Sequence, residues 1–412
     1  MTAEIVNMGC RLNIHEGEIV RTHVNAARAN RERVVVNSCA VTNEAVRQTR
    51  QTIRRLRRER PGAEITVTGC AAQIDPAAFR AMPEVDRVVG NAEKLRPESW
   101  TGTDAGAVGD IMAVRETAPH LAPAMADRVR GFVEVQNGCD HRCTFCIIPY
   151  GRGASRSVPA GLVIDRVKAL VDAGHPEVVL TGVDLTSYGP DLPGAPTLGS
   201  LVARILTHVP RLARLRLSSL DSIEVDDELF ALITGEPRVM PHLHLSLQHG
   251  DDLILKRMKR RHMRGDAIRF VERVKWARPD AAVGADLIAG FPTETDAMHA
   301  QSLALIEACD IVFGHVFPYS PREGTPAARM PQVDRALAKE RAAELRTASA
   351  ARRDRWFDAA VGADLPVLTE RGNKGHTDSF APVRFAGDVE PGRLVAARIA
   401  GHADGALLAG AP

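Results

Sequence analysis

"GCDHRCTFC" occupies residues 138–146 and places Cys139, Cys143 and Cys146 in one short loop with no fourth cysteine nearby. The loop directly follows a β-branched run, "VRGFVEVQN". Further strand-like runs come after it: "EVVLTGV", "LARLRLSS", "HLHLSLQ", "AAVGADLIAG" and "DIVFGHVFP". Amphipathic segments separate them, for example 160–173, 198–208 and 298–308. Six strand–helix units in succession predict a curved parallel sheet or partial barrel, with function gathered at the carboxyl ends of the strands. The cysteine loop stands on that rim. Gly182, Asp184, Ser218, Ser219, Gln248, Gly290 and Phe291 end later strands on the same rim.

Upstream, "AEIVNMGC", "RVVVNSC" and "EITVTGC" are strand-like runs that each close on a cysteine: Cys10, Cys39 and Cys70. Helical segments lie between them, the clearest over 43–60. This alternation predicts an open α/β sheet over residues 1–105, and all three cysteines would converge on its ligand-binding edge. Residues 101–127 carry Gly, Pro and Ala without periodicity and read as a linker. The (β/α)6 unit spans 128–355 and ends in a charged helix beginning near Gln332. From 356 to 412, short strands broken by Gly and Pro predict a small β-barrel.

At 412 residues, with 45% hydrophobic and 25% charged side chains, the chain is an α/β globular protein of two or three domains. No apolar run reaches the roughly 18–20 residues that span a bilayer, so no membrane partner is expected. "MTAEIVNMGCR" lacks a basic stretch followed by an apolar one, so it is not expected to be a signal peptide, and the cytoplasm is the expected location. In that compartment seven cysteines point to metal or catalytic use rather than disulfides. Cys309, between a helix and a buried strand, has no metal-spaced partner and is expected to pack in the core.

Three thiolates in a C-x3-C-x2-C loop leave one iron of a 4Fe–4S cluster without a protein ligand. An open iron can chelate the amino and carboxylate groups of S-adenosylmethionine. Reduction there yields a 5′-deoxyadenosyl radical, chemistry that proteins delegate to cofactors. The loop also admits a zinc site with His141 as fourth ligand. The motif alone leaves both readings open.

"QNGCDHRCTFCIIPYGRGASRS" resembles the signature of radical SAM methylthiotransferases, and the whole chain is similar to that family's three-part plan. Residues 1–105 resemble its methylthiotransferase domain, 128–355 its radical SAM core and 356–412 its TRAM domain. "YGRGASRS", "LTGVDLTSYG", "LRLSSLDS" and "HLHLSLQHGDDLILKRMKRRH" are most similar to the branch that modifies threonylcarbamoyladenosine. The resemblance implies two 4Fe–4S clusters, one on Cys139, Cys143 and Cys146, and one on Cys10, Cys39 and Cys70 holding the sulfur to be delivered. It implies S-adenosylmethionine near Phe145, Gly182, Asp184, Gln248 and Phe291. It also implies an electron donor such as flavodoxin or ferredoxin. The chain departs from the family at His249, where a serine is expected.

Helix 44–60 carries seven arginines against two glutamates. A second basic run holds Lys256, Arg257, Lys259, Arg260 and Arg261 beside the rim and suits a phosphate backbone. From 357 to 412, five Lys and Arg face seven Asp and Glu, so shape, backbone contacts or a small patch around Arg371 and Lys374 would have to hold RNA there. The expected activity is methylthiolation of carbon 2 of N6-threonylcarbamoyladenosine in the tRNA anticodon stem-loop. Alternatives are the same chemistry on isopentenyladenosine tRNA or on a ribosomal-protein aspartate. A non-catalytic iron–sulfur or zinc RNA-binding protein is the alternative of another class.

Overall fold

The computed structural model describes residues 3–27, 31–101, 106–115 and 128–410. Strands Glu4–Asn7, Arg33–Ser38, Glu64–Gly69 and Arg87–Val88 form a parallel sheet in chain order. The short fourth strand was not evident from the sequence. Helix Asn43–Glu59 begins where the Thr42 side chain accepts from the Ala45 N–H, and it buries Ile53 and Leu56 against the sheet. Its apolar stripe at helical spacing leaves the arginines on the opposite face.

Strands Arg130–Glu134, Glu177–Thr181 and Arg214–Leu217 are parallel neighbours, and Ser219–Leu220, His242–Gln248, Ala282–Ala289 and Ile311–Pro318 continue the series. After Leu217 the third strand turns away and re-pairs as Ser219–Leu220 with the fourth. Side chains alternate across each strand. Val133, Leu180, Leu217 and Leu245 pack outward on helices such as Ala160–Asp172 and Leu198–His208. Phe132 and Val179 face inward and meet Ile14 of helix Arg11–Ala26. The first and last strands do not pair, so the barrel is open at its side among the described residues.

Cys309 is fully buried in the main core, and burial pushes its thiol up to about 12. Helix Arg335–Asp358 covers the outer face of the last strand, where Ser349 Oγ accepts from the Gly314 N–H at 2.8 Å. Strands Asp364–Glu370, Lys374–Thr377, Pro382–Phe385, Leu394–Ala403 and Ala406–Ala409 close a small barrel.

A loop of that barrel, Thr377–Phe380, plugs the amino-terminal mouth of the central one. Arg214 and Arg216 donate to the Thr377 carbonyl, Arg216 also to that of Asp378, and both hold the buried Glu177 carboxylate. The Phe380 ring lies 4.8 Å from the Arg216 guanidinium and 4.9 Å from the His242 ring. Burial pushes the Glu177 carboxyl up, but Arg216, Arg130 and Arg214 more than offset it and hold it at about 2. This carboxylate therefore stabilises the docked barrel fully above its unfolded value of about 4.3, and its contribution fades as pH falls toward about 2.

The expected linker over 101–127 falls partly outside the described residues. Its described stretch, 106–115, is not loose. The Gly90 N–H donates to Ala107 O, Gln73 Nε2 donates to Gly109 O, and Ile111 is buried.

Candidate active site

The cysteine loop is held from several sides. The Cys139 N–H donates to Gly153 O at 3.1 Å, and the Thr144 N–H to Met258 O at 3.1 Å. The Cys146 N–H donates to Cys143 O at 3.1 Å, which tightens the turn between two of the thiols. Burial pushes the Cys139 thiol up to about 12, and Asp184 adds to the shift. Cys146 is likewise pushed up to about 12 by burial. Such thiols are protonated when alone, and a bound cation converts them to thiolates.

The second trio converges as the topology requires. Cys39 follows one strand immediately, Cys70 the next, and Cys10 stands three residues beyond the first. Burial pushes Cys39 up to about 11, and Cys70 and Cys10 add to it. Two glycines make the approach possible. Gly9, at φ 88°, leaves no room for a Cβ, which would fall 2.7 Å from Cys39 Sγ; at Gly69, φ 93°, one would lie 2.4 Å from Ser38 O. Cys70 also acts electrostatically on Cys146, and Gly151 lies directly against Cys70. The two trios thus face each other across the short helix Ile148–Arg152.

A charged network that the sequence reading missed locks this juxtaposition. Arg152 donates to both Glu16 oxygens, at 3.0 and 2.9 Å, to Asn13 Oδ1 at 2.6 Å and to Asn137 Oδ1 at 3.1 Å. Lys94 Nζ reaches Glu16 at 2.8 Å and Asn37 Oδ1 at 3.2 Å. Burial pushes Glu16 up, but Arg152 and Lys94 outweigh it and hold it at about 2. Asn13 in turn donates to Met8 O and Ser38 O, the backbone just ahead of Cys10 and Cys39.

On the rim, Gln136 Oε1 accepts the N–H groups of Val183 and Asp184, which fixes the turn after Gly182. A Cβ on Gly182 would lie 3.0 Å from that oxygen. Asp184 accepts from Ser187 Oγ at 2.6 Å, pairs with His141 Nε2 at 2.6 Å and approaches Cys139 Sγ at 4.0 Å. Burial pushes its carboxyl up, and the hydrogen bonds from His141 and Ser187 bring it below the usual carboxylate range. Ser218 Oγ is buried without a hydrogen-bond partner among the described residues. Gln248 ends its strand at φ 67°.

Phe145 packs edge-on to Phe291 at 6.5 Å. Phe291 itself is fully buried against Tyr319, Ile254 and Met258. Expected as a rim contact, it instead backs Phe145, because Gly290 at φ 70° turns the chain at the strand's end and the ring fills an apolar cluster. His249 is also off the rim: its Nδ1 accepts from the Asp251 N–H at 3.0 Å, and its Nε2 lies 3.6 Å from the buried Glu294.

The zinc reading required His141 beside all three loop thiols. Among the described residues the tight single-ion groups are Cys139–His141–Asp184 and His244–Asp286–His315, neither of which contains the full trio. One thiolate per iron spreads its ligands wider than a single ion does, so the donor set fits a cluster better.

The basic run divides. Lys256, Lys259 and Arg261 are exposed. Arg257 is half-buried and donates to Thr293 Oγ1 at 2.7 Å. Arg260, expected to meet RNA, is turned inward onto Asp221 at 2.7 Å, Ser246 O at 2.8 Å and Cys143 Sγ at 3.7 Å. It buttresses the cysteine loop, because a buried carboxylate and carbonyl there need a donor. Arg371 and Lys374 are exposed. Arg47, Arg50, Arg54 and Arg322 line a cleft of about 850 Å3 that runs past Ala71 and Ile147, the neighbours of Cys70 and Cys146.

The family description "Radical SAM superfamily" matches residues 133–306, and "Uncharacterized protein family UPF0004" matches residues 2–90. The chain is 48% identical over 403 residues to the threonylcarbamoyladenosine tRNA methylthiotransferase MtaB of Rickettsia prowazekii, covering 98% of this chain and 96% of that one. Identity to the enzyme of the same name from Bacillus subtilis is 33%, covering 97% and 93%. It is 34% to the tRNA-2-methylthio-N(6)-dimethylallyladenosine synthase of Cereibacter sphaeroides, covering 96% and 95%. In fold it resembles the radical S-adenosylmethionine methyltransferase TsrM from Kitasatospora setae, with a TM-score of 0.56 at 17% identity over 86% of this chain and 70% of that one. With relatives this similar along nearly its whole length, the chain is an enzyme of the radical SAM methylthiotransferase family.

Proposed function

We propose that this enzyme adds a methylthio group to carbon 2 of N6-threonylcarbamoyladenosine in the tRNA anticodon stem-loop. The observation that carries the reading is the pair of three-cysteine sites facing one another across Ile148–Arg152. It is supported by 48% identity to the Rickettsia prowazekii relative named for threonylcarbamoyladenosine, against 34% to the Cereibacter sphaeroides relative named for dimethylallyladenosine.

Cys139, Cys143 and Cys146 would hold the cluster that binds S-adenosylmethionine, and Cys10, Cys39 and Cys70 a second 4Fe–4S cluster. Together these groups supply a hydrogen-abstracting radical and a transferable sulfur. Asp184 is a charged acceptor for the methionine ammonium, Ser218 a polar partner, Phe145 an apolar face for the nucleoside and Gln248 a rim contact. Residues 1–105, 128–355 and 356–412 act as sulfur-handling, radical and RNA-holding units, the last as a TRAM domain. Flavodoxin or ferredoxin would supply electrons. None of the described helices is long and apolar enough to cross a membrane, and we place the enzyme with its tRNA in the cytoplasm.

The RNA would approach along the arginine cleft and across Lys256, Lys259 and Arg261, with Arg371 and Lys374 as lesser contacts. Loop bases can be splayed out for chemistry, as this site needs. Replacing Lys256 and Lys259 by Ala is expected to flatten the slope of log affinity against log salt by roughly two. Arg260→Met should leave that slope unchanged and lower the iron bound per chain. Filter binding and iron analysis distinguish the two results. Asp184→Asn is expected to raise the S-adenosylmethionine concentration for half-maximal 5′-deoxyadenosine formation by roughly 10- to 100-fold, the scale of one charge-assisted hydrogen bond.

Anaerobic reconstitution tests the whole reading. Iron and sulfide should be incorporated, and reduction with S-adenosylmethionine and substrate tRNA should give 5′-deoxyadenosine and methylthiolated nucleoside. Bound zinc with neither product would overturn it.

A further inference from the structure

The open side of the central barrel exposes a polar surface that the radical site does not use. On the last strand, Phe313, His315 and Phe317 share the inward face. His315 is 60% exposed there, and Phe317 above it is 40% exposed at the rim. His315 Nδ1 lies 3.5 Å from Asp286 Oδ1, and His244 Nε2 lies 3.0 Å from the same oxygen. The three residues come from three adjacent strands. His244 fits only because its neighbour is Gly284, where a Cβ would fall 2.9 Å from the His244 ring.

From the opposite wall, helix Arg11–Ala26 lies against the inner face of the first two strands through Ile14, and His15 Nδ1 sits 2.8 Å from Phe132 O. Its first residue, Arg11, comes to the Phe380 plug, close enough to His242 to act on it electrostatically, as His315 does. The Arg11 guanidinium stands 5.6 Å from the centre of the Phe380 ring and makes no ion pair with any carboxylate among the described residues. Phe380 packs at a tilt against His242, the inner-face neighbour of His244 two residues earlier. A half-buried, unpaired guanidinium and an exposed imidazole backed by a carboxylate thus share one inward surface, below an exposed aromatic ring. This combination suits a planar base carrying an anionic side arm.

We propose that Arg11 and His315 form the pocket that reads the carboxylate-bearing side arm of the modified adenine, with Phe317 as the stacking platform for its base. The assignment rests on the tRNA reading above and deepens it. Arg11 contributes donors in a fixed fork, which match a carboxylate. Asp286 orients His315 through Nδ1 and leaves Nε2 directed at the ligand, while His244 holds Asp286. An aliphatic side arm would leave the guanidinium desolvated without a partner, so the surface rejects it as well as accepting the anionic one.

Cluster-loaded enzyme is titrated with two synthetic anticodon stem-loops, one bearing N6-threonylcarbamoyladenosine and one unmodified adenosine. Arg11→Met and His315→Phe should each weaken binding of the modified loop roughly tenfold or more while leaving affinity for the unmodified loop within about twofold. Phe317→Ala should weaken both loops alike. Iron content and the cluster absorption spectrum report whether Arg11→Met, next to Cys10, has disturbed the metal site, and His315→Phe tests the pocket independently of it. Equal losses for both loops in the His315 variant would overturn the assignment, as would stoichiometric zinc that disappears in the same variant. Failure of the parent enzyme to methylthiolate the modified loop would instead count against the substrate reading itself.

Discussion

Cys70→Ala is expected to separate the two halves of the reaction. The variant should retain roughly half the iron of the parent and still cleave S-adenosylmethionine to 5′-deoxyadenosine, because Cys139, Cys143 and Cys146 are intact. Methylthio product should fall by more than the roughly 100-fold that loss of an outer-shell partner costs a metal site. Cys146→Ala should abolish both products. If Cys70→Ala also stopped 5′-deoxyadenosine formation while keeping its loop cluster, the division of labour between the trios would be wrong. Mass spectrometry of the nucleoside and liquid chromatography of the cleaved cofactor read the two outcomes separately.

The second large effect concerns the joint between the domains. Arg152→Met removes the main partner of a fully buried carboxylate and should destabilise the folded chain by about 3–5 kcal/mol. Glu16 would be left to Lys94 alone, Asn13 Oδ1 would lose its donor and Asn137 Oδ1 would keep only the Gly138 N–H. The effect depends on pH with a definite sign. Glu16 is held at about 2 in the fold, so its contribution is complete above the unfolded value of about 4.3 and disappears as pH falls toward about 2. The gap between variant and parent denaturation midpoints should therefore be wide at pH 7 and narrower at pH 4. A gap independent of pH would mean that Arg152 acts by packing rather than charge.

Much of this architecture could be read from local sequence. The six cysteines were conspicuous because Cys10, Cys39 and Cys70 each close a β-branched run and the other three fill the loop after another, where a parallel sheet presents its ligands. The six strand–helix units and the small terminal barrel followed from periodicity, and helix Leu198–His208 matches the expected segment end to end. What stayed hidden shares one physical cause. Arg152, Glu16, Lys94 and Arg260 are charged residues, which in isolation read as solvent-facing. They are buried here because each satisfies another buried polar group from a distant segment, for example Arg152 with Glu16, 136 residues away in the chain. Arg260 looked like one of five interchangeable cations, and only the fold distinguishes the one that turns toward Cys143. Arg11 beside Cys10 gave no sequence signal at all, since its placement depends on helix Arg11–Ala26 packing against the first two strands of another domain. The Thr377–Phe380 plug was equally illegible, because its partners Arg214 and Arg216 lie about 160 residues earlier.

The most direct test of the central claim is nucleoside mass spectrometry of bulk tRNA from a strain lacking this gene, with and without the restored chain. The account predicts loss of 2-methylthio-N6-threonylcarbamoyladenosine, accumulation of its unthiolated precursor and unchanged methylthiolated isopentenyladenosine, all reversed by the restored chain but not by its Cys146→Ala variant. Undiminished 2-methylthio-N6-threonylcarbamoyladenosine in the deletion strain, in the absence of a second enzyme making it, would contradict the account.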